Sequence, residues 1–274
     1  MLRFRALSAL LTTCRIKKRT GNVSVGTSIF AMLVLEKEIT ELIREVDNVA
    51  TPDGSPVAMV HANNCSSDLN AQIAIFTDFA RRLGQNIDVN KIFEVLFEAA
   101  DHGDPDCGGV NVVPYYSGEF ITQIEEGRPL LARKENANYN LNNLMRAHLN
   151  AAFCALRIGF DILDKRNHIE IERLVGHGGL FKSGATAQTI MANALKAPVT
   201  VMETAGEGGA YGIALLASFM GRKQTLVDFL NNEVFLKSKG AVVKPQKELE
   251  DGFDCYLEMH KQCLDVENYA VKLF

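Results

Sequence analysis

The chain has 274 residues, and its 47% hydrophobic and 23% charged content is that of a globular protein able to bury a sizeable core in one large domain or two small ones. A net charge of −4 and a pI near 5.9, with no basic stripe, argue against nucleic acid as the main partner. The six cysteines (Cys14, Cys65, Cys107, Cys154, Cys255, Cys263) lie far apart, with no CxxC pair and no clustered histidine. That pattern fits reduced, mostly buried thiols of a cytosolic protein rather than a disulfide framework or a zinc site. No segment approaches the roughly 20 apolar residues of a membrane span. The N-terminal MLRFRALSALLTTCRIKKR has an apolar run of only about six residues, Ala6 to Leu11, too short for a signal peptide and without a small-residue cleavage pattern. A soluble, cytoplasmic protein with no membrane contact is expected.

Taken in order, Asn22–Ser24 and Ser28–Leu35 read as strands joined by Val25, Gly26 and Thr27. Gly26 permits a tight turn. The Thr27 and Ser28 hydroxyls and the turn amides can hold phosphate oxygens, or can simply form a polar tip. Glu36–Asn48 is charged and suits a short helix or a strand extension. Asp53–Pro56 is a turn, and Val57–Ala62 a third strand in which His61 is a strand histidine. Asn63–Ser67 leads into a helix over Asp68–Leu83, with Ser66, Ser67 and Asp68 as N-cap candidates. Val89–Ala100 carries Ile92, Phe93, Leu96 and Phe97 on one helical face. Asp101–Gly109 gathers three aspartates, a histidine and a cysteine. Their spacing matches neither a calcium loop nor a zinc site, which leaves a solvated turn. Val110–Tyr116 reads as a strand, Ser117–Arg133 as a surface loop without chemistry, and Leu141–Asp164 as the longest helix. In that helix Ala151, Ala152 and Ala155 let a neighbour approach closely.

The stretch from Leu174 to Ser218 reads as two strand–glycine-turn–helix units in tandem. Leu174 and Val175 end a strand, Gly176–Gly179 form a turn, and a helix follows over Ala185–Leu195. Pro198–Met202 is the second strand, and Gly206, Gly208 and Gly209 open a helix to Phe219. Glycine between strand and helix lets backbone amides approach an anion, and the helix N-terminus adds its positive dipole end. Two such turns side by side suggest a nucleotide cleft, although glycine turns also arise from packing alone. His177, inside the first turn, reads as structural. Glu203 and Glu207 flank the second, where Glu207 suits a helix cap. Thr225–Asn232 is a short helix, Gly240–Val243 a strand and Glu248–Lys272 a terminal helix. Strands first and strand–helix alternation later predict an α/β mixed sheet flanked by helices.

The segment GHGGLFKSGATAQTIMANALKAPVTVMETAGEGGAYGIALLAS resembles the adenosine-binding stretch of the FGGY carbohydrate kinases, with the pentulose (xylulokinase-like) branch nearest. GNVSVGTSIF, Gly21 to Phe30, resembles the phosphate hairpin of the same family's second domain. The resemblance covers residues 21–274 and leaves residues 1–20 as an unmatched basic segment. It implies the actin-like, ribonuclease-H-like ATPase fold, with ATP or ADP and Mg²⁺ as cofactors. It further implies that Gly26, Thr27 and Ser28 hold the terminal phosphates and that Ser67, at a helix start, lies near them. Gly178 and Gly179, with Leu180, would let the backbone pass the ribose and α-phosphate, while Lys182 and Ser183 lie near the adenine. Mg²⁺ would bridge phosphate oxygens, mostly through water. Where the family's helix after Ser67 has an aromatic residue, this chain has Gln72.

Two family features have no counterpart here. The general-base aspartate expected just upstream of the hairpin is missing, because Met1–Thr20 contains no Asp and no Glu. The twenty residues before the hairpin do not include the family's N-terminal sugar-binding domain, so sugar is expected as a partner only where that domain is supplied. Three readings stand. One is the nucleotide domain of a pentulose kinase, incompetent alone, and another is an enzyme completed by a second chain. The third is a non-catalytic remnant or association protein with a vestigial cleft, whose exposed apolar face could drive homodimerisation. Valine at Gly26 or Gly178 is expected to abolish nucleotide binding without unfolding the chain.

Overall fold

The computed structural model describes residues 17–182, 184–202, 208–235 and 240–273. Nine strands and seven α-helices are named here: β1 Thr20–Val25, β2 Ile29–Val34, β3 Val46–Ala50, β4 Pro56–Ala62, α1 Ser66–Arg82, α2 Val89–Asp101, β5 Val110–Val113, β6 Leu130–Arg133, α3 Leu141–Asn167, β7 Arg173–Gly178, α4 Thr186–Leu195, β8 Val199–Met202, α5 Gly208–Phe219, α6 Leu226–Phe229, β9 Gly240–Val243 and α7 Lys247–Val271.

Seven strands form one mixed sheet in the order β3-β4-β2-β1-β7-β8-β9, and β5 and β6 make a separate ribbon. The connections explain the directions. β1 and β2 are joined by the short loop Gly26–Ser28 and so run antiparallel, whereas β7 reaches β8 through helix α4 and so runs parallel to it. β1 also lies parallel to β7, in a register that pairs Ser24 with His177 and Val25 with Gly178. The C-terminal ends of the parallel strands β1, β7 and β8 therefore share one edge, the usual place for a ligand crevice in α/β sheets.

The period-2 alternation of the strands divides their side chains between two faces. Val23, Val25, Ala31, Leu33, Ala58, Val60, Leu174 and Val199 enter the main core, while Met32, Val34, Val57 and Met59 form a small cluster on the reverse. α3 is the central strut of the core. Its 27 residues make it about 40 Å long at ~1.5 Å per residue, and Asn140 caps it by accepting from the Asn143 amide at 3.0 Å. Small residues bring it close to the sheet: a Cβ at Gly159 would sit 2.4 Å from Val60 Cγ1. α7 closes the core from the far side. Its Tyr256 hydroxyl donates to Ala147 O at 2.8 Å, and Asn111 Nδ2 donates to Tyr256 O at 3.1 Å.

Several sequence expectations need correction. Glu36–Asn48 contains no helix; it is turn and coil that enters edge strand β3 at Val46. Ser117–Arg133 is not merely a surface loop, because Glu119 is fully buried and Leu130–Arg133 forms β6. β1 begins at Thr20, and the end of the basic segment is tied to the sheet. Lys17 pairs with Glu172 at 2.5 Å, Arg19 donates to Glu36 and Glu170 at 2.9 and 2.6 Å, and the Glu172 amide donates to Arg19 O at 2.7 Å. Four of the described cysteines (Cys65, Cys107, Cys154, Cys263) are buried and free, whereas Cys255 is exposed. Burial pushes the Cys65 thiol up to about 12. No described helix is long and apolar enough to cross a membrane.

Candidate functional site

The hairpin tip and the first of the two tandem glycine turns meet. β1 runs into Gly26 directly after Val25, β7 runs into Gly179 directly after Gly178, and Val25 and Gly178 are register partners. The hairpin tip and the glycine turn thus leave adjacent strand ends about 4.8 Å apart. Gly26 and Thr27 are exposed and Ser28 is half-buried. The tip is closed by Gly26 N donating to Ser28 O at 2.9 Å, so this amide is spent within the loop. α1 starts against the tip: Cys65 N donates to Thr27 O at 2.9 Å and Ser66 N to Gly26 O at 3.1 Å. Ser67, exposed, is next in the first turn of that helix, whose N-cap position is Cys65 and not one of the serines.

The glycine turn begins later than its sequence suggests. Gly176, His177 and Gly178 are strand, and the chain turns only at Gly179–Lys182, as a 3-10 segment. Packing is the reason. A Cβ at Gly176 would lie 2.8 Å from the Phe181 ring, so this glycine admits the aromatic plug that follows it. Gly178 has φ +123°, and a Cβ there would lie 1.9 Å from Val25 O. Gly178 is therefore required by the sheet itself, and a valine at this position strains the fold; the expectation that it would leave the chain folded is overturned. Gly179 is different: it is exposed, and a Cβ there meets nothing within 4 Å. Leu180 and Phe181 are buried anchors of the turn, so Leu180 can offer a ligand only its backbone, while Lys182 is exposed at the turn's end. Ser183 lies outside the described residues, as do Glu203, Gly206 and Glu207.

His177 is structural, as expected. It is 4% exposed, its Nε2 lies 3.1 Å from Asn22 Nδ2, and burial pulls its pKa down to about 4, so the ring is neutral and accepts from the amide. At the start of α4, Thr186 Oγ1 donates to Asp101 Oδ2 at 2.7 Å, tying the helix after the glycine turn to α2. The Asp101–Gly109 segment is organised by hydrogen bonds: Asp104 Oδ2 accepts from Asn138 and Asn143, each at 2.8 Å, and these bonds hold its carboxyl below the usual range. Among the described residues no group of three potential metal ligands comes together.

The sequence reading took Asp68 only for an N-cap candidate and missed Glu119. Asp68, on the first turn of α1, is buried and hydrogen-bonded to His148 Nδ1 of α3. Glu119 receives the amides of Asn63 and Asn64 at 2.8 and 3.3 Å. Burial raises its pKa, and the hydrogen bonds it accepts oppose that rise. The only sequence signal for Glu119 is an acid directly after a glycine in an otherwise neutral run.

Residues 21–221 match the C-terminal domain of the FGGY family of carbohydrate kinases. The chain belongs to that family. The xylulose kinase of Haemophilus influenzae is 24% identical to it over 202 residues, which cover 72% of this chain and 38% of that protein. Among solved structures, a xylulose kinase from Rhodospirillum rubrum superposes with a TM-score of 0.71 at 17% identity, over 96% of this chain and 49% of its own. A glycerol kinase from Plasmodium falciparum, solved with ADP, superposes with a TM-score of 0.71 at 15% identity, over 93% of this chain and 49% of its own. This FGGY chain spans about two fifths of the curated relative and about half of these solved ones. The sheet order, together with these neighbours, establishes the actin-like ATPase fold expected from the sequence.

Proposed function

We propose that this FGGY domain is the nucleotide-binding half of an ATP-dependent sugar kinase of the pentulose, xylulokinase-like type. The observation that carries this is the contrast among the site glycines. Gly26 and Gly179 sit at adjacent strand ends with room for a side chain that neither possesses, and backbone bared in this way suits close approach of a ligand. Gly26, Thr27 and Ser28, with the start of α1 at Ser67, would hold the terminal phosphates. Gly179 and the Leu180 backbone would line the ribose, with Gly178 shaping the turn from within the sheet. Lys182 and Ser183 would lie toward the adenine.

Phosphoryl transfer depends on positioning and charge neutralisation more than on covalent chemistry by the protein. The hairpin amides of Thr27 and Ser28 are suited to that task. Mg²⁺ would neutralise the phosphate charge. It is expected to arrive with the nucleotide, held by phosphate oxygens and water, since hard dications of this size keep several waters. No described residue is assigned as general base or sugar contact. Residues 21–274 are taken as one domain, because β9 extends the sheet and α7 packs into the main core.

Calorimetric titration of the folded chain with Mg-ADP, up to millimolar concentrations, tests the proposal. Saturable one-site binding is the expected result. Absence of binding in a folded sample would reduce the kinase relationship to ancestry and favour a non-catalytic association role.

A further inference from the structure

We propose that Glu119 is a positioning residue for the phosphate hairpin, acting through the Asn63–Ser66 loop on the peptide groups of Gly26 and Thr27. This rests on the reading of Gly26–Ser28 as the phosphate site and deepens it.

The contacts run in three steps. Glu119 Oε2 accepts from Asn63 N at 2.8 Å, Asn64 N at 3.3 Å and Asn64 Nδ2 at 3.2 Å. The same asparagine stitches the two loops in the other direction: its Oδ1 accepts from Ser117 N at 3.1 Å, and its Nδ2 donates to Gly118 O at 2.6 Å. The loop fixed in this way ends in the amides of Cys65 and Ser66, which hold Thr27 O and Gly26 O at 2.9 and 3.1 Å.

Peptide planarity completes the step. In a trans peptide the N–H points opposite to the C=O. With Gly26 O and Thr27 O turned toward the start of α1, the N–H groups of Thr27 and Ser28 are aimed away from it, out of the exposed tip. A carboxylate suits this role better than a neutral group, because several N–H donors converge on a single oxygen and charge strengthens each bond. Full burial of the Glu119 side chain makes the arrangement costly unless all of these donors are present. Beyond these bonds and its own Gly26 N to Ser28 O closure the tip is uncovered: a Cβ at Gly26 would find only Ser28 O, at 3.7 Å.

The experiment is titration of the whole chain and its variants with Mg-ATP and, separately, with AMP, which lacks the β- and γ-phosphates. Wild type is expected to favour Mg-ATP. Glu119→Ala is expected to lose about tenfold or more in Mg-ATP affinity, with AMP affinity within about twofold of wild type. Glu119→Gln, which keeps one oxygen acceptor, is expected to recover most of the loss. Should Glu119→Ala fail to fold, Asn64→Ala severs the same stitch from the other loop and carries the same expectation. An unchanged Mg-ATP to AMP ratio in either folded variant, or an equal fall for both ligands, would overturn the positioning role. A wild-type chain that binds AMP but shows no preference for Mg-ATP would instead overturn the phosphate reading of the hairpin, and the inference with it.

Discussion

Gly178 and Gly179 are chain neighbours, yet they answer to opposite demands. Gly178 occupies the last rung of the β1–β7 ladder, where the backbone of Val25 fills the space a side chain would need. Gly179, one residue on, faces open space, and Gly26 across the same edge has room for a side chain, with only Ser28 O at 3.7 Å. The ladder uses glycine to bring two strands of the protein together, and the tips beyond it leave glycine uncovered. A run of glycines in a nucleotide-type turn therefore need not be one functional unit. Part of it builds the edge, and part of it stays uncovered.

That difference can be broken experimentally. The largest effect is expected from Gly178→Ala, which combines a backbone conformation hostile to L side chains with a backbone clash; a loss of about 4 kcal/mol or more in denaturant unfolding is expected. If Gly178→Ala melted like wild type, the seam would not need the glycine. His177, on the same ladder, gives the next effect. Its pKa is depressed by burial to about 4, so between pH 6.5 and 4 the unfolded chain takes up a proton that the folded chain does not. Its contribution is therefore complete above pH 6.5 and lost as the pH falls through that window, by at most ~3 kcal/mol. His260, a fully buried residue of α7 also held near 4, adds to the same acid limb. Urea unfolding of wild type and His177→Gln at pH 7, 5 and 4 measures the difference, and parallel profiles would exclude the His177 share.

At the tips the sign of the comparison reverses. Gly26→Val and Gly179→Val are each expected to melt within about 3 °C of wild type while losing about tenfold or more in Mg-ADP affinity. Unaltered affinity in both would remove the tips from the site. The smallest effect is expected from Lys182→Ala. An exposed charge at the end of the turn should weaken Mg-ADP binding less than about fivefold, and the difference should shrink as salt is raised. A salt-independent loss would mean that Lys182 makes a buried contact with the nucleotide.

Much of the fold was legible along the chain, because it rests on local periodicity. The apolar stripe of α3, the alternating strands and the strand–helix order at Leu174–Phe219 all record which faces are buried. Element boundaries were less legible. β7 runs on to Gly178 because Phe181 folds back over Gly176 and Val25 lies against Gly178, and both are tertiary contacts that local propensity does not register. Glu36–Asn48 suited a short helix or a strand extension by composition, and only the structure shows it as turn and coil that carries the chain to edge strand β3.

The sequence by itself determined the α/β class and the glycine-bearing turns, which are written in short-range spacing, and its motifs carried the resemblance to the family. Only the tertiary structure decided which glycines serve the protein and which are left bare, that His177 is a neutral strand residue, and that Glu119 reaches the Asn63–Asn64 loop 55 and more residues away. The physical reason is that burial and steric contact are properties of neighbours in space, and those neighbours are set by how the sheet assembles.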